Sequence, residues 1–352
     1  MIIFDLLANM VRAGASDLHL GVGSPPILRI NGKLHVVDFP PLTEDMIRSM
    51  VYALLNSEQI EKFEKEKELD FSYTLKDIGR FRGNLYFQRG TIACALRAIP
   101  TQIRSFEELN LPPILKYFAS QERGLFLVTG PTGVGKSTTL AAMIEYINQN
   151  FSKHIITIED PIEYVFENKK SIIHQREVGV DTNSFATALK HVLRQDPDVI
   201  MIGEMRDLET ISLALTAAET GHLVLATLHT SGIINTIDRI VDVFPAHQQA
   251  QIKVQLSNIL IGTVSQLLVP LATGKGRIPA LEVVVANTAI KNLIRKGEHH
   301  QIQNVLHTGK EKGMQSIEHH LKLMVEKGLI TKDTAMRYAF YPEVMKRLLS
   351  TL

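Results

Sequence analysis

Residues 130–138 read Gly-Pro-Thr-Gly-Val-Gly-Lys-Ser-Thr, GPTGVGKST, and the fold is decided here. Every required position of the pattern G-x-x-x-x-G-K-[ST] is filled, an apolar run (GLFLVT) precedes it and a helix-forming run (KSTTLAAMIEYINQN) follows. Strand, glycine turn and helix in that order make a phosphate cradle. The glycines let backbone N–H groups approach phosphate oxygens, and the helix N-terminus adds positive potential. Gly130, Pro131, Thr132, Gly133, Val134, Gly135, Lys136, Ser137 and Thr138 are therefore expected to wrap a polyphosphate. Lys136, expected to stand exposed on the loop, reaches its β- and γ-phosphates, and the Ser137 hydroxyl binds Mg²⁺.

Outward from this loop the chain alternates strands and helices. GLFLVTG, HIITIED, DVIMIGE and HLVLATLHT are continuously apolar, as strands buried on both faces must be. Helical stretches such as LETISLALTAAETG separate them, which is the rhythm of a doubly wound parallel sheet over residues 114–287. The second strand runs out into Glu159, Asp160 and Glu163, a crowd of carboxylates that needs a cation such as a Mg-nucleotide close by. The third ends on Gly203-Glu204, where many nucleotide hydrolases have an aspartate on Mg²⁺. His222 and His229 bracket the fourth. Ligands bind at the carboxyl ends of such strands, so His229 is expected beside the phosphates and His222 at the structural end.

Residues 1–99 have a different texture. PPILRINGKLHVVD is a hairpin turning at Asn31-Gly32. A helix starts at the N-cap Thr43, with EQIEKFEKEKELD as its solvated far end. The strands DFSYTL, RFRGNLYFQRG and TIACALRAIP then complete a small mixed domain around an antiparallel sheet. Residues 100–113, with prolines at both ends, read as a linker, and residues 288–352 as a helical C-terminal region opening at the cap Thr288.

The chain's 352 residues suffice for two cores. A net charge of +1, with no basic run interleaved with aromatics, argues against a nucleic-acid partner. The single cysteine, Cys94, excludes an internal disulfide and a tetracysteine zinc site, and is expected to be a small buried hydrophobe. The apolar run Asn258–Leu271 is interrupted by Gly262, Ser265, Gln266 and Pro270 and is too short to span a bilayer. The N-terminus meets Asp5 with no basic segment before it, unlike a signal peptide. A cytoplasmic protein is the expectation.

Taken together, these motifs resemble the secretion-ATPase superfamily (the GspE/PilT family) over nearly the whole chain, and within it the PilT-type retraction ATPases of type IV pili. The markers are ASDLHL (15–20), GPTGVGKSTT, TIEDPIE, IGEMRDLET, TGHLVLATLHT and AIKNLI (289–294), the last with Lys291 where the family pattern has arginine. The resemblance implies a small PAS-like α+β domain, then a RecA-like P-loop ATPase core with a helical C-terminal region, using ATP and Mg²⁺. It makes Glu204 the carboxylate that reaches the metal and its waters and Glu163 its water-orienting partner, with the proton acceptor open between them. It implies that arginines of the small domain or the linker close the site. Arg80, Arg82, Arg97 and Arg104 stand at matching places, with Arg82 and Arg97 carried forward as nucleotide ligands. It further implies a homohexamer at the inner face of a bacterial inner membrane, driving a pilus platform protein and the pilus machinery so that the pilus depolymerises, which supports twitching motility. The nearest alternatives are a pilus-extension or type II secretion ATPase, which usually adds a longer N-terminal region and often a Cys-x-x-Cys zinc insert, and, farther off, a ring-shaped nucleic-acid motor.

Overall fold

A computed structural model describes residues 2–308 and 313–351. The described residues fall into two compact units. One ends at Gln102 and includes Glu163–Val165, and the other runs from Ile103 to Ile162 and onward from Phe166.

The small unit contains α1 (Ile2–Arg12), β1 (Asp17–Gly21), β2 (Ile27–Ile30), β3 (Lys33–Val36), α2 (Glu44–Tyr52), α3 (Ser57–Glu66), β4 (Glu68–Leu75), β5 (Gly79–Gln88) and β6 (Thr91–Ile99). Its antiparallel sheet has the order β3-β2-β1-β6-β5-β4. Leu18, Phe71, Phe81, Leu85 and Leu96 of the sheet share one core with Leu7 of α1, Ile47 of α2 and Phe63 of α3. The β2–β3 turn uses positive φ at both Asn31 (50°) and Gly32 (81°), which is why that dipeptide makes the hairpin. The charge run differs from expectation. It forms its own helix, α3, started by a capping box between Asn56 and Gln59, and it buries Phe63 completely. Cys94 is buried on β6, and burial pushes its thiol up to about 12, so it carries no thiolate.

The larger unit begins with α4 (Ile114–Ala119), β7 (Gly124–Thr129), α5 (Lys136–Asn150), β8 (His154–Glu159), β9 (Ile172–Glu177), α6 (Phe185–Val192), β10 (Val199–Ile202) and α7 (Leu208–Glu219). It continues with β11 (Leu223–Leu228), α8 (Ile233–Asp242), α9 (Ala246–Ile259), β12 (Leu260–Pro270), β13 (Arg277–Val285), α10 (Thr288–Lys296), α11 (Ile302–Thr308), α12 (Ile317–Glu326), α13 (Lys332–Tyr338) and α14 (Pro342–Leu349). The sheet order is β13-β12-β7-β11-β10-β8-β9, parallel except for the antiparallel β12–β13 pair. The strand side chains alternate between two cores. Leu125, Leu127, Ile200, Ile202, Val224 and Ala226 face one, and Phe126, Val128, Val199, Met201, Leu223 and Leu225 face the other. This two-sided burial is what the unbroken apolar runs encode. The run 258–271, read from sequence only as too short for a membrane, is mostly β12, the parallel partner of β7. Among the described residues no helix is long and apolar enough to cross a membrane.

Residues beyond β13 are not a separate body. Ile290, Ile294, Ile302 and Leu306 of α10 and α11 join the core under β7 and β11. The cap of α10 is Asn287 and not Thr288. Asn287 is extended, and its Oδ1 accepts the Ile290 N–H at 3.0 Å. Lys291 points its ammonium at the Asn258 carbonyl, 3.4 Å away. The outer edge of β13 is covered. Gln315 exchanges backbone hydrogen bonds with Val283, and its side chain donates to the Leu281 carbonyl. His320 Nδ1 accepts the Leu281 N–H at 2.9 Å, which requires a neutral ring, and burial pushes its pKa down to about 4.

Between these contacts lies Glu282, fully buried. Burial, aided by the nearby Glu318 and opposed by hydrogen bonds from Ile233 and Gln303, pushes its pKa up to about 7 from an ordinary 4.5. The folded chain therefore holds a proton there that the unfolded chain has released, so this group makes stability fall as pH rises from about 4.5 to about 7. His320 works the other way, lowering stability as pH falls from 6.5 towards about 4. Glu282→Gln removes the first effect and leaves the second. Urea unfolding should show its stability relative to wild type rising by on the order of 2 kcal/mol between pH 5 and pH 8. An offset that is the same at both pH values would mean that Glu282 does not titrate in this window.

Candidate nucleotide site

The phosphate loop has few side chains to hold it, so its neighbours must. Gln266 of β12, 3% exposed, does most of this. Its Nε2 donates to the Val134 carbonyl at 2.6 Å, and its Oε1 accepts from Thr139 Oγ1 at 2.7 Å. Next to it, Ser265 Oγ lies 2.7 Å from Thr129 Oγ1 at the end of β7. Gly130 has to be glycine. Its φ is 142°, and a Cβ there would sit 2.3 Å from the Gln266 carbonyl. Sequence reasoning missed Gln266 and Ser265. The only available signal was two polar residues inside an otherwise apolar run.

Three neighbouring strands each deliver one polar group at their carboxyl ends. The loop after β7 leads to Lys136, β10 leads to Glu204, and β11 leads to His229. Lys136 is buried at 8% exposure, which corrects the expectation of an exposed lysine. Its ammonium folds back over the loop, donating to the carbonyls of Gly130 (2.8 Å) and Pro131 (3.0 Å), and lies 3.2 Å from His229 Nδ1. Burial lowers its pKa, and the nearby Glu204 works against that. His229 Nε2 is 2.8 Å from Glu204 Oε1, and Arg206 donates to Glu204 Oε2 at 2.6 Å. The network is satisfied by an imidazole that accepts at Nδ1 and donates at Nε2. Burial pushes the Glu204 pKa up, but hydrogen bonds from Arg206 and His229 and the Arg206 charge outweigh it, and the net shift is downward. The carboxylate stays ionised.

Glycine precedes Glu204 for a packing reason. Gly203 N–H donates to the Ile158 carbonyl at 2.8 Å, and a Cβ on Gly203 would stand 3.2 Å from that same oxygen. The chain hugs β8 at this point and releases the acid one residue later. Arg206, two residues beyond Glu204, carries no signal of its own in the sequence, yet it neutralises Glu204 and also feels the charge of Asp160.

The acidic box divides. Glu159 is buried, accepting from Thr157 Oγ1 at 2.6 Å and from Gln175 at 3.2 Å. Asp160 and Glu163 are exposed. The buried Glu177 of β9, another residue unread in the sequence, accepts the Ile162 N–H at 3.0 Å and so steadies the turn that carries Glu163. Glu163 groups with the small unit, as do Arg80, Arg82 and Arg97, while Arg104 lies in the larger one. Arg97 Nε donates to Asp17 Oδ1 at 2.8 Å, and Arg82 is its direct partner across β5 and β6. Two arginines side by side make this stretch of β5 and β6 cationic, while Asp70 stands on the same face of the neighbouring β4. Arg80 donates to Thr74 at 3.2 Å. His222 hydrogen-bonds the Ala217 carbonyl at the opposite end of β11, as strand polarity requires.

Among the described residues no three histidine, cysteine, aspartate or glutamate side chains cluster to hold a metal. The Ser137 hydroxyl and the ionised Glu204 carboxylate are hard oxygen donors, the chemistry that suits Mg²⁺, an ion that commonly takes its remaining ligands from phosphate and water.

The fold and this constellation define a P-loop ATPase. The model of the type II/IV secretion system protein family matches residues 101–337, and the chain belongs to that family. It is 47% identical to the type IV pilus retraction ATPase PilT of Pseudomonas aeruginosa over 343 residues, 97% of this chain and 99% of that one. It is 47% identical to a twitching motility protein of Neisseria gonorrhoeae, covering 91% of this chain and 86% of that one. A crystal structure of the pilus retraction motor PilT with bound ADP superposes with a TM-score of 0.90 at 49% identity, covering 98% of this chain and 99% of the other.

Lys136→Ala removes the one ammonium in the cradle. Steady-state ATPase assays should find turnover reduced ~10²-fold or more. The melting temperature should move by no more than about 4 °C, because no apolar packing is lost. Turnover near wild type would refute the phosphate role.

Proposed function

We propose that the chain is the ATP-driven motor that retracts type IV pili, working as a homohexamer at the inner face of a bacterial inner membrane on a pilus platform protein. The observation that carries this is the similarity to a pilus retraction ATPase along 97% of this chain and 99% of that relative. An extension or type II secretion ATPase of the same family is the alternative.

In this reading the backbone N–H groups of residues 130–138 and the first turn of α5 bind the phosphates. Lys136 leaves the carbonyls of Gly130 and Pro131 for the β- and γ-phosphates of ATP, a stronger charge-assisted partner. Ser137 and Glu204 would hold Mg²⁺, which when bound would neutralise the charge developing on the phosphates. Glu204, ionised, and Glu163 orient the attacking water between them, and either one takes its proton. His229 bridges Lys136 and Glu204, so it senses whether the lysine is engaged. Arg82 and Arg97, with Arg80 and Arg104 as further candidates, close over the nucleotide. The cationic stretch of β5 and β6 supports that assignment.

Glu204→Gln preserves size and hydrogen bonding but removes the charge. ATP should still bind in an equilibrium titration, while hydrolysis falls by ~10² or more. A Glu204→Gln enzyme close to normal beside a severely impaired Glu163→Gln would reverse the roles of the two acids. Direction is tested in the cell. Deleting the gene should leave cells that carry many pili and cannot twitch, whereas bald cells would mean extension.

A further inference from the structure

Among the buried acids that the mechanism does not use, the most fully enclosed is on β13. Glu282 stands on β13 at 0% exposure, between the apolar Leu281 and Val283. Burying a carboxyl group is costly unless its oxygens are used. Both are used here, by two different parts of the chain. Oε1 accepts the Ile233 N–H at 2.8 Å, and Oε2 accepts from Gln303 Nε2 at 3.3 Å.

Ile233 is the first residue of α8, and α8 follows directly on the loop that carries His229. Its N-cap is Gly232, which has no side chain to satisfy the first N–H groups of the helix. Glu282 does this from across the sheet, and Ser265, its register partner on β12, accepts the Gly232 N–H at 3.1 Å. The same Ser265 hydroxyl touches Thr129, the residue before the phosphate loop. A Cβ on Gly232 would make only ordinary contact with Glu282 Oε1 and the Phe340 ring, each 3.6 Å away, so it is the φ of 80° that favours glycine there.

The other side of Glu282 is C-terminal. Gln303 belongs to α11 and lies near the Tyr341 hydroxyl, where it opposes the upward push that burial gives the Tyr341 pKa. The Tyr341 N–H donates to Glu318 of α12 at 2.9 Å. Further along α8, Asp238 Oδ1 lies 2.7 Å from His299 Nε2, just before α11. The helix that leaves the nucleotide site is thus pinned to the C-terminal helices at two points.

We propose that Glu282 is a positioning residue of the ATPase site, a clasp that caps α8 and ties the His229 loop to α11 and α12. His229 then holds its place between Lys136 and Glu204 only while Gln303 and Tyr341 are docked. A displacement of the C-terminal helices alters hydrolysis without touching the nucleotide. This rests on the reading of His229 given above.

The test measures Mg·ATP turnover and melting temperature in the full-length chain. Gln303→Leu frees the C-terminal half of the clasp and leaves the Ile233 cap in place. It should lower kcat about 10-fold, the scale of a slightly misplaced catalytic group, with KM for ATP within about twofold. Glu282→Ala should be at least as impaired. Glu282→Gln, which keeps the shape and an acceptor for Ile233, should restore most of the rate. If the clasp acts through His229, then adding Gln303→Leu to His229→Ala should slow turnover no further. Normal kcat in Gln303→Leu, or fully additive losses in the double variant, overturns the clasp. A His229→Ala enzyme with normal turnover instead overturns the reading of the site. Should Glu282→Ala fail to fold, Gln303→Leu and the double variant still decide.

Discussion

Two hydrogen bonds, one donated by the Gln266 amide to the Val134 carbonyl and one that it accepts from the Thr139 hydroxyl, hold the phosphate loop in register. A loop made of glycines is free to approach phosphate because it lacks side chains, and for the same reason it cannot fix itself. Rigidity has to come from outside. It comes from β12, a strand more than a hundred residues later in the chain, whose backbone passes so close that only glycine fits at position 130. Losing that amide would leave a buried carbonyl and a buried hydroxyl unsatisfied, each costing about 1–3 kcal/mol. The cradle is a property of the sheet, and the motif alone would be a floppy turn.

Around this seat the charges form a line. Lys136, His229, Glu204 and Arg206 are each in contact with the next, positive and negative alternating through a histidine. In such a line no member changes partner alone. Moving Lys136 towards phosphate removes a donor from His229, which rebalances its bond to Glu204. A side chain one residue earlier would begin only 3.2 Å from the Ile158 carbonyl, crowded against β8. Placing the acid after Gly203 gives it room to face both His229 and Arg206.

A second layer of polar contacts lies behind the first and consists of groups that meet only across the fold. Glu282, Ser265, Gln303 and Glu177 each bind a backbone N–H or a side chain from a distant segment. They explain why the C-terminal helices share a core with the ATPase sheet while also covering its β13 edge. The same helices satisfy the backbone of an edge strand and hold the residue that caps α8.

The sequence by itself determined the parts whose physics is local. The glycine pattern with its lysine and serine is one, the unbroken apolar runs of β7, β8, β10 and β11 are another, and the Asn31-Gly32 hairpin is a third. Each is written in neighbours a few residues apart, through backbone sterics or burial on two faces. Local capping was partly legible: Thr43 does cap α2, but Asn56 started a helix that the charge run disguised, and Asn287 took the cap expected at Thr288. Only the tertiary structure decided that residues 260–270 are an interior strand beside β7, that Lys136 is buried, and that Gln266, Arg206, Glu177 and Glu282 belong to the site or its support. Most of those are pairings across tens of residues or more than a hundred, and even Arg206, only two residues from Glu204, pairs with it through the bend after β10. A polar residue in an apolar run has the same one-letter code whether it interrupts a strand or holds a phosphate loop, and only its partner in space tells the two apart.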